Sequence, residues 1–135
     1  MQKLTRLILN SKMLLPVAMF CTLMIGYLSL ADISSLPNLN VKNEDKFYHV
    51  LAYFLLNTIW LIALKPFTMK GFKSNLLISL GILTFGIVIE IFQELLTEIR
   101  VFDYYDILAN GIGIILSFLC FQFFLKRIFE NINSK

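Results

Sequence analysis

Four apolar stretches, 13–31, 47–64, 76–96 and 107–125, take up most of this 135-residue chain and leave only short polar segments between them. Each is close to the roughly 20 residues that an α-helix needs to cross the hydrocarbon core of a bilayer. The strands of a membrane barrel would place polar residues at every second position, and these runs do not, so helices must satisfy the backbone hydrogen bonds. The expected fold is an all-α integral membrane bundle of four transmembrane helices, one domain spanning 1–135. Composition agrees, with 58% of residues hydrophobic and 16% charged, against about 45–50% and 25% in soluble proteins. The first stretch also has features of a signal peptide, because Lys3, Arg6 and Lys12 precede an apolar run ending Ser29-Leu30-Ala31. Its length exceeds the ~7–15 residues of a signal h-region, so a retained helix is expected.

The basic residues predict an orientation. Nine of the twelve Lys and Arg lie before the first span, between the second and third, or after the fourth. The positive-inside rule then puts both termini in the cytoplasm and segments 32–46 and 97–106 outside. Asp32, Glu44, Asp45, Glu90, Glu94, Glu98, Asp103 and Asp106 fall at or near that outer side, and only Glu130 does not. On the inner edge, Lys65, Lys70, Lys73, Lys126 and Arg127 suit anionic lipid headgroups. Membrane lipids are therefore the expected partners, and no nucleic acid is implied. Cys21 and Cys120 lie inside apolar spans, where thiols act as small hydrophobes rather than disulfide partners. Gly81, Gly86, Gly111 and Gly113 lie in spans three and four, where small residues let helices approach closely.

Ionisable groups at or inside membrane spans are costly in lipid and face a bundle interior or a hydrated cavity. At the entry to span two stand Asp45, Lys46, His49 and Tyr53, with Asn57 beyond them; positions 45, 49, 53 and 57 share one helix face. Span three carries Glu90, Gln93, Glu94 and Thr97 in three- or four-residue steps near its outer end, with Glu90 deepest. Span four is entered through Arg100, Asp103 and Asp106, followed by Asn110, Gly113 and Ser117 along one line. Asp45 and Asp106 also stand where acids favour a helix N-terminus. The starts of spans two and four and the end of span three must reach the same surface. Asp45, Lys46, His49, Tyr53, Glu90, Gln93, Arg100, Asp103, Asp106 and Asn110 are therefore expected to line one outward-facing pocket.

Three blocks of this sequence, Asp45-Lys46-x-x-His49-x-x-x-Tyr53, Glu90-x-x-Gln93, and Arg100 with Asp103, Asp106 and Asn110-Gly111-x-Gly113, resemble the VanZ-like family. The resemblance covers spans two to four; span one carries no matching motif. It implies a small multi-pass protein of the bacterial plasma (inner) membrane, in a family whose founding member is associated with resistance to teicoplanin, a glycopeptide acting on cell-wall precursors. It does not imply a reaction.

The residues themselves leave several functional classes open. A binding module would use Lys46, Arg100 and two helix N-termini to attract a phosphate- or sugar-bearing headgroup of an envelope lipid or lipid-linked cell-wall precursor. Tyr53, Gln93 and Asn110 would add neutral hydrogen bonds, and Tyr48, Phe102, Tyr104 and Tyr105 would serve as interfacial anchors. An enzyme would use Glu90 or His49 as general base and Arg100 to stabilise developing charge. With a single histidine, His-x-x-x-His zinc chemistry and phosphohistidine chemistry are excluded. The Lys-x6-Arg-Pro signature of acidic membrane phosphatases and the Glu-Glu pair of diglutamate intramembrane proteases are missing too. No cofactor motif is visible, and a metal site from His49, Asp45 and Glu90 stays open with no spacing to support it. A transport path is disfavoured because the inner halves of the spans are apolar apart from Asn57, Thr84 and Ser117. A fourth outcome is purely structural: the charges neutralise one another and pin the helix ends.

Overall fold

The structure, a computed structural model, describes residues 11–31, 44–65, 71–96 and 102–125. Arg100 and Thr97 lie outside the described residues. All regular structure among the described residues is helical: α1 Ser11–Leu30, α2 Glu44–Leu64, α3 Phe72–Leu96 and α4 Tyr104–Cys120, the last ending in a widened π-type turn, Phe121–Leu125. All four are long and apolar enough to cross a membrane, so the chain is an all-helical, multi-pass membrane protein. The helices α2, α3 and α4 begin three or four residues before the apolar stretches do. Hydropathy marks where lipid contact starts, whereas the helix continues through Glu44 and Asp45, whose charge suits the partial positive charge of its N-terminus. At α4 the cap is Asp103, in extended conformation, accepting the Tyr105 N–H at 2.8 Å. Asp106 instead occupies the first turn.

The helices α2 and α4 form the main seam of the bundle. Lys46 meets Asp106, His49 meets Asn110 and Asn57 meets Ser117, at sequence separations of 60, 61 and 60. A constant offset means that these helices run parallel and in register, so chemistry at one level of α2 recurs at the same level of α4. Gly113 makes the close approach feasible: a Cβ there would stand 3.0 Å from the Phe54 backbone nitrogen and 3.1 Å from the Val50 carbonyl carbon. Gly86 of α3 likewise leaves room for the Tyr53 ring and the Asn110 amide, 2.9 and 3.2 Å from a Cβ in its place. Gly81 and Gly111 have nothing within 4 Å. The expectation of close packing thus holds for two of the four glycines, because helix rotation decides which ones meet a neighbour.

Tyr53, Leu56, Ile82 and Ile114 form a buried apolar cluster, with Ile25, Trp60 and Phe85 packed against it. The outside is apolar as well, with Leu23, Leu77 and Ile115 largely exposed. Polar side chains instead turn inward: Asn57, Asn75, Ser79, Glu90, Gln93, Asn110 and Ser117 are all buried. This distribution suits lipid, where apolar groups gain nothing by hiding from the tails and polar groups must find partners inside. The helix α1 is peripheral, with Ala18 its one buried residue among those described. Two polar contacts hold it: Trp60 Nε1 donates to Thr22 Oγ1 at 2.9 Å, and Gln93 Nε2 donates to the Ser29 carbonyl at 2.8 Å.

Candidate functional site

The parallel register brings the first turns of α2 and α4 side by side, and Lys46 is the hub between them. Its ammonium donates to Asp45 Oδ2 at 2.8 Å, to Asp103 Oδ2 at 2.6 Å and to Asp106 Oδ1. An ammonium has three N–H groups, so three carboxylates use them all. The Lys46 ammonium holds the Asp103 carboxyl below the usual carboxylate range, and the Tyr105 N–H acts in the same direction. Asp103 therefore serves twice, as the cap of α4 and as a counter-ion to α2. An incoming anion would meet a lysine already engaged.

One turn deeper, His49 Nδ1 lies 2.9 Å from Asn110 Oδ1, and Nε2 lies 3.7 Å from Asp106 Oδ2. The two oxygens of Asp106 are thus divided, Oδ1 to Lys46 and Oδ2 toward the imidazole. From α3, Glu90 brings Oε1 to 4.0 Å from His49 Nδ1, with its side chain only 2% exposed. A carboxylate at this depth costs on the order of 2.5–3.5 kcal/mol on insertion scales unless it is protonated or compensated. Gln93, one turn along α3, is buried and tied to α1. The expected pair of Glu90 and His49 is therefore adjacent, with Asn110 and Asp106 holding the ring on either side.

A cavity of about 510 Å³ opens beside these residues, within the roughly 300–1,000 Å³ range of small-molecule sites. Asp45, His49, Tyr53, Gln93, Asp103 and Asp106 provide its polar wall, and Ile25 and Leu28 of α1 an apolar one. Sequence patterns identified the polar wall. They missed α1, because Ile25 and Leu28 look like any lipid-facing residues until a neighbour is placed beside them. Deeper still, Asn57 Nδ2 donates to Ser117 Oγ at 3.1 Å, Ser117 Oγ lies 2.8 Å from Thr58 Oγ1, and Thr58 donates to the Phe54 carbonyl at 2.8 Å.

Of the residues expected in the pocket, Asp45, His49, Tyr53, Gln93, Asp103 and Asp106 line the cavity, whereas Lys46, Glu90 and Asn110 do not line it and instead contact residues that do. Arg100 is outside the described residues. Glu94 points away and is exposed, although its spacing put it on the face of Glu90. Tyr48, Tyr104 and Tyr105 are exposed at the same end, and Phe102 packs edge-on against Tyr104 at 4.8 Å. Comparison with family models, curated proteins and solved structures returns no match. The resemblance to VanZ-like proteins therefore rests on the motif residues quoted above.

Proposed function

We propose that this chain is a VanZ-like protein of the bacterial plasma membrane whose pocket opens on the outer face and binds the headgroup of an envelope lipid or lipid-linked cell-wall precursor. Both termini are cytoplasmic in this reading, following the distribution of Lys and Arg. The observation that carries it is the two-sided cavity, with carboxylates, an imidazole, a phenol and an amide on one wall and aliphatic side chains on the other. An amphiphile offers the same division, a polar head continuous with an apolar chain. The saturated Lys46 narrows the chemistry. The carboxylates of this wall accept hydrogen bonds and carry negative charge, which favours hydroxyl or amine groups, as in a sugar or amino-bearing headgroup, over a bare phosphate. The motif resemblance extends the proposal to a link with glycopeptide (teicoplanin) tolerance.

Native mass spectrometry of the purified full chain tests the reading. Wild type should retain one lipid or precursor per chain, and Gln93→Ala or Tyr53→Ala should lose it while remaining folded by circular dichroism. Heterogeneous adducts, equal in all three proteins, would overturn the proposal. They would favour a second reading, supported by Lys46 and its three carboxylates, in which the cluster only fastens α2 to α4.

A further inference from the structure

We propose that His49, Glu90 and Asp106 form a binding site for a divalent transition-metal cation such as Mn²⁺ or Zn²⁺. One ligand atom from each of the three lies within 4.8 Å of the others. Oxygen and nitrogen ligands at about 2.0–2.2 Å from one ion are separated from each other by roughly 3–4.4 Å, so small rotations close this triangle. The donors come from α2, α3 and α4, which means that folding assembles the site and an ion would join three helices at once. One imidazole with two carboxylates is a donor set that Mn²⁺ and Zn²⁺ both accept.

Two acid clusters meet this geometric test, and the structure separates them. The group Asp45, Asp103 and Asp106 already has its cation, the Lys46 ammonium. In the group His49, Glu90 and Asp106, Lys46 engages only Oδ1 of Asp106, leaving Oδ2 turned toward His49. A second observation comes from Asn110, which is 1% exposed and points into the cluster, with Oδ1 on His49 Nδ1. Its Nδ2 has no hydrogen-bond partner among the described residues, although a buried amide normally uses both ends. With Nδ1–H donating to Asn110 Oδ1, the Nε2 lone pair on the Asp106 side is left for the ion, and Asn110 orients a metal-bound imidazole. Finally, His49 and Asp106 both border the cavity. That supplies an entry path and leaves coordination positions open toward it, as a site that also binds a further molecule requires. The inference stands apart from the headgroup reading, since an ion would occupy these ligands whether or not a lipid fills the cavity.

His49 is the single histidine of the chain, and this permits a test on wild-type protein. Untagged full-length protein in detergent, stripped with a chelator, is titrated with Mn²⁺ alone and followed by electron paramagnetic resonance. One ion should bind per chain, with nitrogen modulation of the spin echo from a directly bound imidazole, and Zn²⁺ should displace it. Glu90→Gln should weaken Mn²⁺ at least about tenfold, whereas Glu94→Gln, one turn away and exposed, should leave binding unchanged. No stoichiometric Mn²⁺, or Mn²⁺ without nitrogen coupling, would overturn the proposal. Should Glu90→Gln fail to fold, the nitrogen coupling in wild type decides alone.

Discussion

The seam between α2 and α4 carries two polar clusters, about three helical turns apart, built from opposite chemistry. At the end formed by the first turns of both helices, Lys46, Asp45, Asp103 and Asp106 are ionic, short-ranged and partly exposed, with 25% of the lysine side chain accessible. At the inner level, Asn57, Thr58 and Ser117 are neutral, and Asn57 and Ser117 are completely buried. Both clusters join the same helices at the same register, so the difference arises from depth. Near the interface, ions keep part of their hydration and their mutual attraction outweighs what desolvation they suffer. In the hydrocarbon centre a charge would cost several kcal/mol, and hydroxyl and amide groups connect the helices without it. Glu90 and His49 stand between these regimes, Glu90 buried and His49 half-buried, yet both ionisable like the first cluster.

Four substitutions break or sharpen that contrast. The largest effect is expected from Gly113→Leu, because both clusters depend on backbone contact at that glycine and a side chain there meets Val50 and Phe54 main chain. A loss of about 3 kcal/mol or more, or failure to accumulate, should appear in thermal or denaturant unfolding in detergent. A milder effect would mean that the helices separate without cost and the seam is looser than its hydrogen bonds imply.

Next comes Lys46→Met, which leaves three carboxylates facing one another. Solvent access moderates the effect, so about 2 kcal/mol is expected, less than for a fully buried pair. The same contacts set the acid response. Because the folded Asp103 carboxyl is held below its unfolded value by Lys46, its contribution is complete above about pH 4. It disappears as pH falls through the lower, folded value. Acid unfolding should therefore steepen below about pH 4 in wild type, and Asp103→Asn should lose that part of the slope. An unchanged slope would remove Asp103 from the stabilising set.

The smallest effect belongs to Asn57→Leu, at less than about 1 kcal/mol, since interhelical hydrogen bonds in membranes average about 0.6 kcal/mol. The Asn57 Oδ1 atom also lacks a partner among the described residues, so leucine removes an unsatisfied atom together with the hydrogen bonds to Ser117 Oγ and, at a long 3.4 Å, the Ile114 carbonyl. A loss larger than that of Lys46→Met would reverse the ranking of the two clusters.

How much of this was legible beforehand differs from residue to residue. Asp45, His49, Tyr53 and Asn57 share a face at four-residue spacing, and burial does deepen along it, from the exposed Asp45 to the enclosed Asn57. The same spacing argument failed for Glu94, which is exposed one turn from buried Glu90. Three- and four-residue steps drift around a helix, and only the position of a neighbour decides where the buried sector ends. Likewise, Trp60 and Thr22 carry no sequence sign of their hydrogen bond, since the pairing joins two helices that no periodicity relates.

The sequence alone determined that this chain crosses the bilayer as helices, how many, and at which ends its ionisable residues collect. Those properties are sums of local transfer free energies and backbone hydrogen bonding, and each residue contributes to them wherever its neighbours lie. Tertiary structure alone decided that α2 and α4 are neighbours in register with Gly113 in contact, that Lys46 is saturated by three carboxylates, and that α1 supplies the apolar wall of the cavity. Those facts depend on the order and rotation of helices around one another. In lipid, that arrangement is set by close packing and the pairing of buried polar groups, which are properties of pairs of residues distant in the chain.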